Sequence, residues 1–264
     1  MAGLNFLSEV STSLSASLSE ARARIAGTQS STKGYFVGGE SKTIIEGLTF
    51  ATQTAFKSAT TIFADSGTLG AGQSSTTGYF AGSATYGTSI TSLTFATDSK
   101  SEGSYSMHFG RCLTTGISSS SSCYFAGGYT SISPNYLSSV EKLSFSSSVI
   151  VLLGSGLPSA SYQSAGMYSS TKGYIAGGQG STVLNKRIVS LTFSVEALTT
   201  ISASLTRASG APTGSSSSNK GYCAGDNAFT ANVESINFTT ETSSTLSSTL
   251  PFALSAFGAV SNAT

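Results

Sequence analysis

The chain has 264 residues, of which 9% are charged, with 13 Lys and Arg against 12 Asp and Glu. A near-neutral chain without clustered basic residues is not built to bind nucleic acid, and no run approaches the roughly 20 apolar residues of a membrane helix. Ser, Thr and Gly dominate, yet 39% of residues are hydrophobic and the aromatics recur in register, which a disordered low-complexity chain does not show.

The first residues, "MAGLNFLSEV", carry no basic region ahead of their apolar ones, so they do not read as a secretory signal and synthesis in a cytoplasm is expected. Within them lies "GLNF" (3–6), where Leu4 and Phe6 stand two apart and share one face of a strand. "STSLSASL" (11–18) alternates as an outer, half-exposed strand, and "RIAGTQSS" (24–31) is a strand of small residues. "GYFVGG" (34–39) follows, a strand running out into two glycines, and then "GLTF" (47–50).

From here the pattern returns. "GYFAGS" (78–83), "CYFAGG" (123–128), "GYIAGG" (173–178) and "GYCAGD" (221–226) put the tyrosine motif at starts 34, 78, 123, 173 and 221, spaced 44, 45, 50 and 48 apart. Each copy is trailed by a Leu-x-Phe-like strand: "SLTF" (92–95), "KLSF" (142–145), "SLTF" (190–193) and "SINF" (235–238). Outer strands recur at "ALTTISASL" (197–205) and "SSTLSSTL" (243–250), and small-residue strands at "SAGMYSS" (164–170) and "GAPTGSSSS" (210–218). Gly27, Gly116, Gly166 and Gly214 each stand seven residues ahead of a tyrosine motif, as strands crowded around an axis require. No helical stripe of useful length appears.

Four short strands repeating every 40–50 residues are blades of a β-propeller. Leu-x-Phe motifs number six, as do small-residue strands once "FGAVSNAT" (257–264) is counted, but tyrosine motifs number five. The expectation is an all-β, six-bladed propeller of about 44 residues per blade. Its units are 1–33 (partial), 34–77, 78–122, 123–172, 173–220 and 221–264. N- and C-terminal strands should share one three-stranded or irregular blade that closes the ring. The repeated Tyr and the Leu/Phe pairs should be buried and the Ser or Thr between them exposed. The Tyr should wedge between blades with its hydroxyl bonded, and the glycines should supply positive φ and room for the next blade.

The alternation "GYFVGG…EGLTF", "CYFAGG…VEKLSF", "GYIAGG…VSLTF" resembles kelch repeats over essentially the whole chain, with Glu46, Glu141 and Glu234 matching that family's recurrent acidic residue. The chain departs from the family in having no Trp, and only Arg24, Arg111 and Arg207 stand near the place of its regular Arg. "STKGYFVGG" (31–39) and "STKGYIAGG" (ending at 178) are similar to a subset of such repeats in structural proteins of tailed phages, notably phages of cyanobacteria. That resemblance implies a six-bladed kelch-like fold and a virion location after synthesis in a host cytoplasm. It implies other virion proteins as partners, with a host-surface glycan or protein as a further one, and it carries over no catalytic residue.

Candidate chemistry is sparse. The single His, His108 in "SYSMHFGRC", stands beside Arg111 and Cys112, but no partner motif accompanies it, which favours a structural role. Cys112 and Cys123 flank a Ser-rich turn in which Cys123 would face about residue 117, so a disulfide is not expected, and no Cys-x-x-Cys metal pair exists. Asp226 and Asn227 replace glycine in the last copy, and read as a variant turn before a calcium or sugar contact. No cofactor and no catalytic set are expected. The loops after the tyrosine motifs differ most: "SATYGTSI" (83–90), "GYTSISPNYL" (128–137) and "QGSTVLNKRI" (179–188). Tyr86, Tyr129, Asn135 and Tyr136 are the candidate contact residues, because aromatic and amide groups on loops of a rigid scaffold suit carbohydrate stacking or protein contact. The competing classes are a virion interaction module, a lectin-like propeller, and a propeller enzyme as the weakest.

Overall fold

The computed structural model describes residues 1–40, 42–62 and 69–262, with the side chains of 102–104 also outside the description. Among the described residues every regular element is a strand. A hairpin of β1 (Ala2–Asn5) and β2 (Val10–Ser13) comes first. The first blade follows, made of β3 (Ala26–Gln29), β4 (Lys33–Val37), β5 (Ile44–Thr49) and β6 (Thr54–Thr61). The second holds β7 (Gly70–Gln73), β8 (Thr77–Ala81), β9 (Ser89–Thr94) and β10 (Ser99–Ser106). In the third are β11 (Thr115–Ser118), β12 (Ser122–Ala126), β13 (Val140–Ser144) and β14 (Ile150–Leu152). Next come β15 (Ala165–Tyr168), β16 (Lys172–Ala176), β17 (Arg187–Thr192) and β18 (Ala197–Ser204). The fifth is β19 (Thr213–Ser216), β20 (Lys220–Ala224), β21 (Val233–Asn237) and β22 (Ser243–Thr245). Each blade is a four-stranded antiparallel meander in chain order, and the blades form a β-propeller.

The structure has five four-stranded blades, not the six expected. The reason is a pairing requirement. In every complete blade the tyrosine strand bonds both the small-residue strand and the Leu-x-Phe strand, as β4 does with β3 and β5. The blade count therefore follows the five tyrosine motifs and not the six Leu-x-Phe motifs. Nor do the two ends of the chain share a hydrogen-bonded sheet: β1 pairs with β2 alone, and residues 255–262 form no strand.

Strand alternation gives the disk two unlike faces. One carries the tight turns between the first and second strands of each blade and between the third and fourth. The other carries the loops after the tyrosine motifs and the connections from one blade to the next. On the turn face a serine opens each first turn: Ser30, Ser74, Ser119, Ser169 and Ser217 Oγ accept the backbone N–H three residues on at 3.0–3.1 Å, the hydroxyl turn that Ser/Thr clusters favour.

The tyrosines wedge between blades as expected. Tyr35 stacks on Phe95 of the next blade with ring centroids 5.3 Å apart, Tyr79 on Phe145 at 5.4 Å, Tyr124 on Phe193 at 5.4 Å, and Tyr174 on Phe238 at 5.1 Å. Tyr222 stacks at 5.0 Å on Phe6, which brings the N-terminal hairpin against the fifth blade. Their hydroxyls are bonded at the tip: Tyr35 donates to Asp98 at 2.6 Å, Tyr174 to Glu241 and Tyr222 to Glu9 at 3.1 Å each. The same carboxylates receive Lys33, Lys172 and Lys220 at 2.7–2.8 Å. Leu48, Leu93, Leu143 and Leu191 are buried, whereas the Ser and Thr beside them, Thr49, Thr94, Ser144 and Thr192, are half-buried and not exposed. Blades stacked face to face leave neither side of a middle strand open to water.

Small residues at the axis follow from the same crowding. A Cβ at Gly116 would lie 1.9 Å from the Ala71 carbonyl oxygen, at Gly166 2.2 Å from that of Gly116, and at Gly214 2.1 Å from that of Gly166. Around the axis the strands leave a cavity of about 160 Å³ lined by Gln29, Gln73, Ser118, Tyr168, Ser216 and Ser261 among others. A hydrogen-bond belt joins these strands: Gln29 N–H donates to Gln73 Oε1, Gln73 N–H to Ser118 Oγ, Tyr168 N–H to Ser216 Oγ and Ser261 N–H to Gln29 Oε1, all at 2.8–3.0 Å. Burial pushes the Tyr168 phenol up to about 12.

Candidate functional site

The loop face departs furthest from the repeat, and the glycine pair sets where its loops start. Gly127 (φ 63°) and Gly128 (φ 114°) turn the chain out of β12. A side chain at Gly127 would meet the Ser161 carbonyl, since its Cβ would stand 2.1 Å away. The two glycines thus bring the third blade's loop against the connection entering the fourth.

That approach assembles a tyrosine cluster. Tyr129 lies 5.9 Å from Tyr86, 5.4 Å edge-on from Tyr136 and 6.0 Å from Tyr162, and Tyr136 stacks on Tyr162 at 5.6 Å. Isolated β-bridges hold the backbone beneath, Cys112 with Tyr129 and Tyr129 with Tyr136. The rings are half-buried, and among the described residues no hydrogen bond engages the four hydroxyls. Burial raises the phenol of Tyr162, with Tyr136, Tyr129 and Cys112 adding to the effect.

Three of the four sequence candidates, Tyr86, Tyr129 and Tyr136, therefore meet in one cluster. Asn135 sits beside them but faces inward to its own loop. Its Nδ2 donates to the Thr130 carbonyl at 3.0 Å and its carbonyl accepts the Thr130 N–H at 2.8 Å. Sequence reasoning missed Tyr162. It stands in the connection before a small-residue strand, four residues ahead of Gly166, where no motif draws notice.

Next to the cluster runs a buried ion pair. Arg111 and Glu141 are both 0% exposed and joined directly. The guanidinium also donates to the carbonyls of Gly127 at 2.8 Å and Phe109 at 3.3 Å. Burial pulls its pKa below the ordinary value, with Glu141 opposing that shift. Glu141 also accepts the backbone N–H of His108 at 2.6 Å and lies 3.0 Å from its Nδ1. The arrangement recurs in the first blade, where Glu46 accepts the Ser19 N–H at 2.7 Å and pairs with Arg22, which also reaches the Gly38 carbonyl. Arg22, not Arg24, fills that place; Arg24 pairs with Glu40 on the surface. In the fifth blade Glu234 accepts the Thr206 N–H at 2.7 Å, and Ser209 Oγ bonds the Gly225 carbonyl where an arginine would reach. His108 thus belongs to a brace that recurs in the first, third and fifth blades and holds the connection to the blade it leads into; Thr91 and Val189 stand at the matching place in the other two.

Asp226 makes a turn: its Oδ1 accepts the N–H of Ala228 at 2.9 Å and of Thr230 at 3.3 Å. The three cysteines are buried and form no disulfide, and Cys123 faces Ser118 across the hairpin. Among the described residues no three His, Cys, Asp or Glu side chains gather as a metal site would require.

The loop face also exposes large apolar side chains. Ile132 (74%), Phe229 (68%), Val183 and Phe109 project from the loops and connections of different blades.

No protein-family model matches the chain, and no curated protein matches it either.

Proposed function

We propose that the protein is a non-enzymatic binding scaffold, a kelch-like propeller that serves as a structural and interaction module of a tailed-phage virion. The observation that carries the binding reading is the loop face, where a tyrosine cluster whose hydroxyls have no partner among the described residues shares the face with exposed Ile132, Val183 and Phe229. Exposed apolar groups beside an aromatic cluster suit interaction, and tyrosine supplies large, rigid contact area at low entropic cost; the apolar groups exposed on the opposite face, Leu7, Val149 and Val195, stand singly in separate turns. A chain with only 9% charged residues adds little desolvation cost on assembly. The virion context rests on the likeness of "STKGYFVGG" to phage structural repeats.

The test is the composition of purified particles together with a docking variant. The protein should be present in the particles, and Tyr129→Ala with Tyr136→Ala should reduce its incorporation or weaken attachment to host cells. Absence from the particles would overturn the virion reading. A hydrolytic activity lost on His108→Ala would overturn the non-enzymatic one. A lectin-like role remains the second reading, favoured by the stacked Tyr136 and Tyr162 rings; glycan-array binding lost in the same double variant would select it.

A further inference from the structure

Six Leu-x-Phe motifs stand at blade-to-blade interfaces, and five of their phenylalanines, Phe6, Phe95, Phe145, Phe193 and Phe238, carry a stacked tyrosine from the preceding tyrosine strand. Phe50 is the sixth. What faces it is not a tyrosine strand but residues 257–261. A Cβ on Gly34 would strike Val260 at 2.5 Å and Phe50 at 3.2 Å, as one on Gly78 would strike Thr28 and Phe95. Val260 thus takes the place that Thr28 of the small-residue strand β3 takes one blade on. Gly27 would likewise meet the Ala259 carbonyl as Gly116 meets that of Ala71, and Ser261 joins the belt through Gln29. On the other side, Tyr222, Lys220 and Ser248 of the fifth blade hold Phe6, Glu9 and Ser11 of the hairpin.

So between the fifth and first blades the chain supplies a first-strand segment (257–261) and third and fourth strands (β1 and β2), each fixed to its neighbour. The second strand, which elsewhere bonds both the first and the third, is not among them. The free edge of β1 and the segment 257–261 share no hydrogen bond among the described residues. The five tyrosine strands among the described residues are already paired inside their own blades.

We propose that this place is a strand-acceptor site, and that its occupant is an extended segment of a partner polypeptide with the pattern uncharged residue–Gly–Tyr–apolar–small–Gly. The Gly-Tyr-apolar-small-Gly part follows the resident strands, four of which carry Gly before Tyr (Cys123 stands there in the third) and four Ala before the closing glycine (Val37 in the first). Its tyrosine would lie opposite Gly3, as Tyr35 lies opposite Gly47, and would stack on Phe50. The uncharged lead residue is dictated by charge matching. Where the turn of the next blade carries an acid, Asp98, Glu241 or Glu9, the incoming strand brings Lys33, Lys172 or Lys220. Glu196 is served instead by Lys142 of the third strand, which lies opposite Tyr124, and the incoming strand brings uncharged Ser122. Where the turn carries Ser148, the strand brings Thr77. The matching residue at the acceptor site is Gln53, in the same turn conformation (φ 52°, against 49° for Asp98 and 58° for Ser148). It is exposed and uncharged. Addition of a strand to an open sheet edge is a known mode of peptide recognition, with main-chain hydrogen bonds giving affinity and side-chain pockets giving selectivity.

The experiment uses the full chain and a labelled synthetic peptide carrying the sequence of residues 75–83, with fluorescence anisotropy and hydrogen exchange as readouts. Saturable one-to-one binding is expected, with new exchange protection confined to Ala2–Asn5 and residues 258–261. Phe50→Ala should weaken it at least tenfold. Gln53→Glu should turn preference toward a peptide with Lys in place of the residue before Gly by roughly two- to fivefold, the size of an exposed ion pair. Absence of binding at millimolar peptide, protection that appears in a complete blade, or a preference unmoved by Gln53→Glu would each overturn the proposal. The readouts involve neither particles nor host attachment, so they stand or fall apart from the virion reading.

Discussion

The two faces of the disk use tyrosine in opposite ways. On the turn face it is repeated. Tyr35, Tyr124, Tyr174 and Tyr222 each sit in the same strand position, stack on the next blade's phenylalanine, and meet a carboxylate with the hydroxyl. On the loop face Tyr86, Tyr129, Tyr136 and Tyr162 come from unrelated positions and pack on one another, and their hydroxyls have no partner among the described residues. A residue kept at one place in five blades is answering a constraint that every blade interface imposes. A residue present in one loop answers to something outside the repeat. The comparison separates scaffold from candidate site without any appeal to function.

The largest expected effects lie in the scaffold. Tyr174 is fully buried between blades, so Tyr174→Ala should cost about 3–5 kcal/mol, the range for truncating a large aromatic in a core. Chemical denaturation of the two proteins would measure it. Glu141→Ala belongs in the same class although it sits on the irregular face, because it strands the fully buried Arg111 without its carboxylate, a loss of about 3–5 kcal/mol. If Glu141→Ala were mild while Tyr174→Ala was severe, the brace between connection and blade would be ornamental and the loop face would be independent of the scaffold beneath it.

Much of the scaffold was legible because a repeat displays its own constraints. The interblade place of the tyrosines, the positive φ of Gly38, Gly127 and Gly177, and the crowding at Gly116 and Gly166 all follow from seeing one motif five times. The blade count was not legible from motif counting. Phe6 carries the right pattern, but whether a Leu-x-Phe strand belongs to a complete blade depends on a partner strand that the motif does not encode. Arg22 was passed over for Arg24 because the guanidinium's reach to Glu46 depends on how the connection folds, not on its spacing. Tyr162 was invisible for a related reason: it joins the cluster through tertiary approach at Gly127, and nothing in "SASYQSAG" announces that.

A middle-sized effect comes from alkali. Burial first, then the neighbouring carboxylate, pushes Tyr124 and Tyr222 up to about 12, and burial with Asp98 or Glu241 raises Tyr35 and Tyr174 further. The unfolded chain ionises near the ordinary value of 10.0. Between those values the unfolded state holds fewer protons than the folded one, so stability falls as pH rises. The contribution is whole below about pH 10 and is lost as pH climbs from there towards 12. Tyr222→Phe should flatten that slope in a pH series of thermal melts. A slope unchanged in Tyr222→Phe would remove the interblade tyrosine as its source.

The smallest effect on stability should come from the residues with the largest expected effect on binding. Tyr136 is half-buried against Tyr129 and Tyr162, with no hydroxyl bond to lose. Tyr136→Ala should therefore cost about 1 kcal/mol, the scale of an aromatic pair at a surface. That is far below the loss for Tyr174→Ala, although both remove the same side chain. Tyr136→Phe should be neutral in melts, yet it deletes one of the four hydroxyls the cluster offers a ligand. Particle incorporation or host attachment weakened by Tyr136→Phe, at an unchanged melting temperature, would place the hydroxyl in contact with a partner. Asn135→Ala tests the other half of the loop: it opens the Thr130 hydrogen bond that holds Tyr136 in place, so it should weaken attachment through position alone. Loss with Asn135→Ala but not with Tyr136→Phe would move recognition from the phenol to the ring surface.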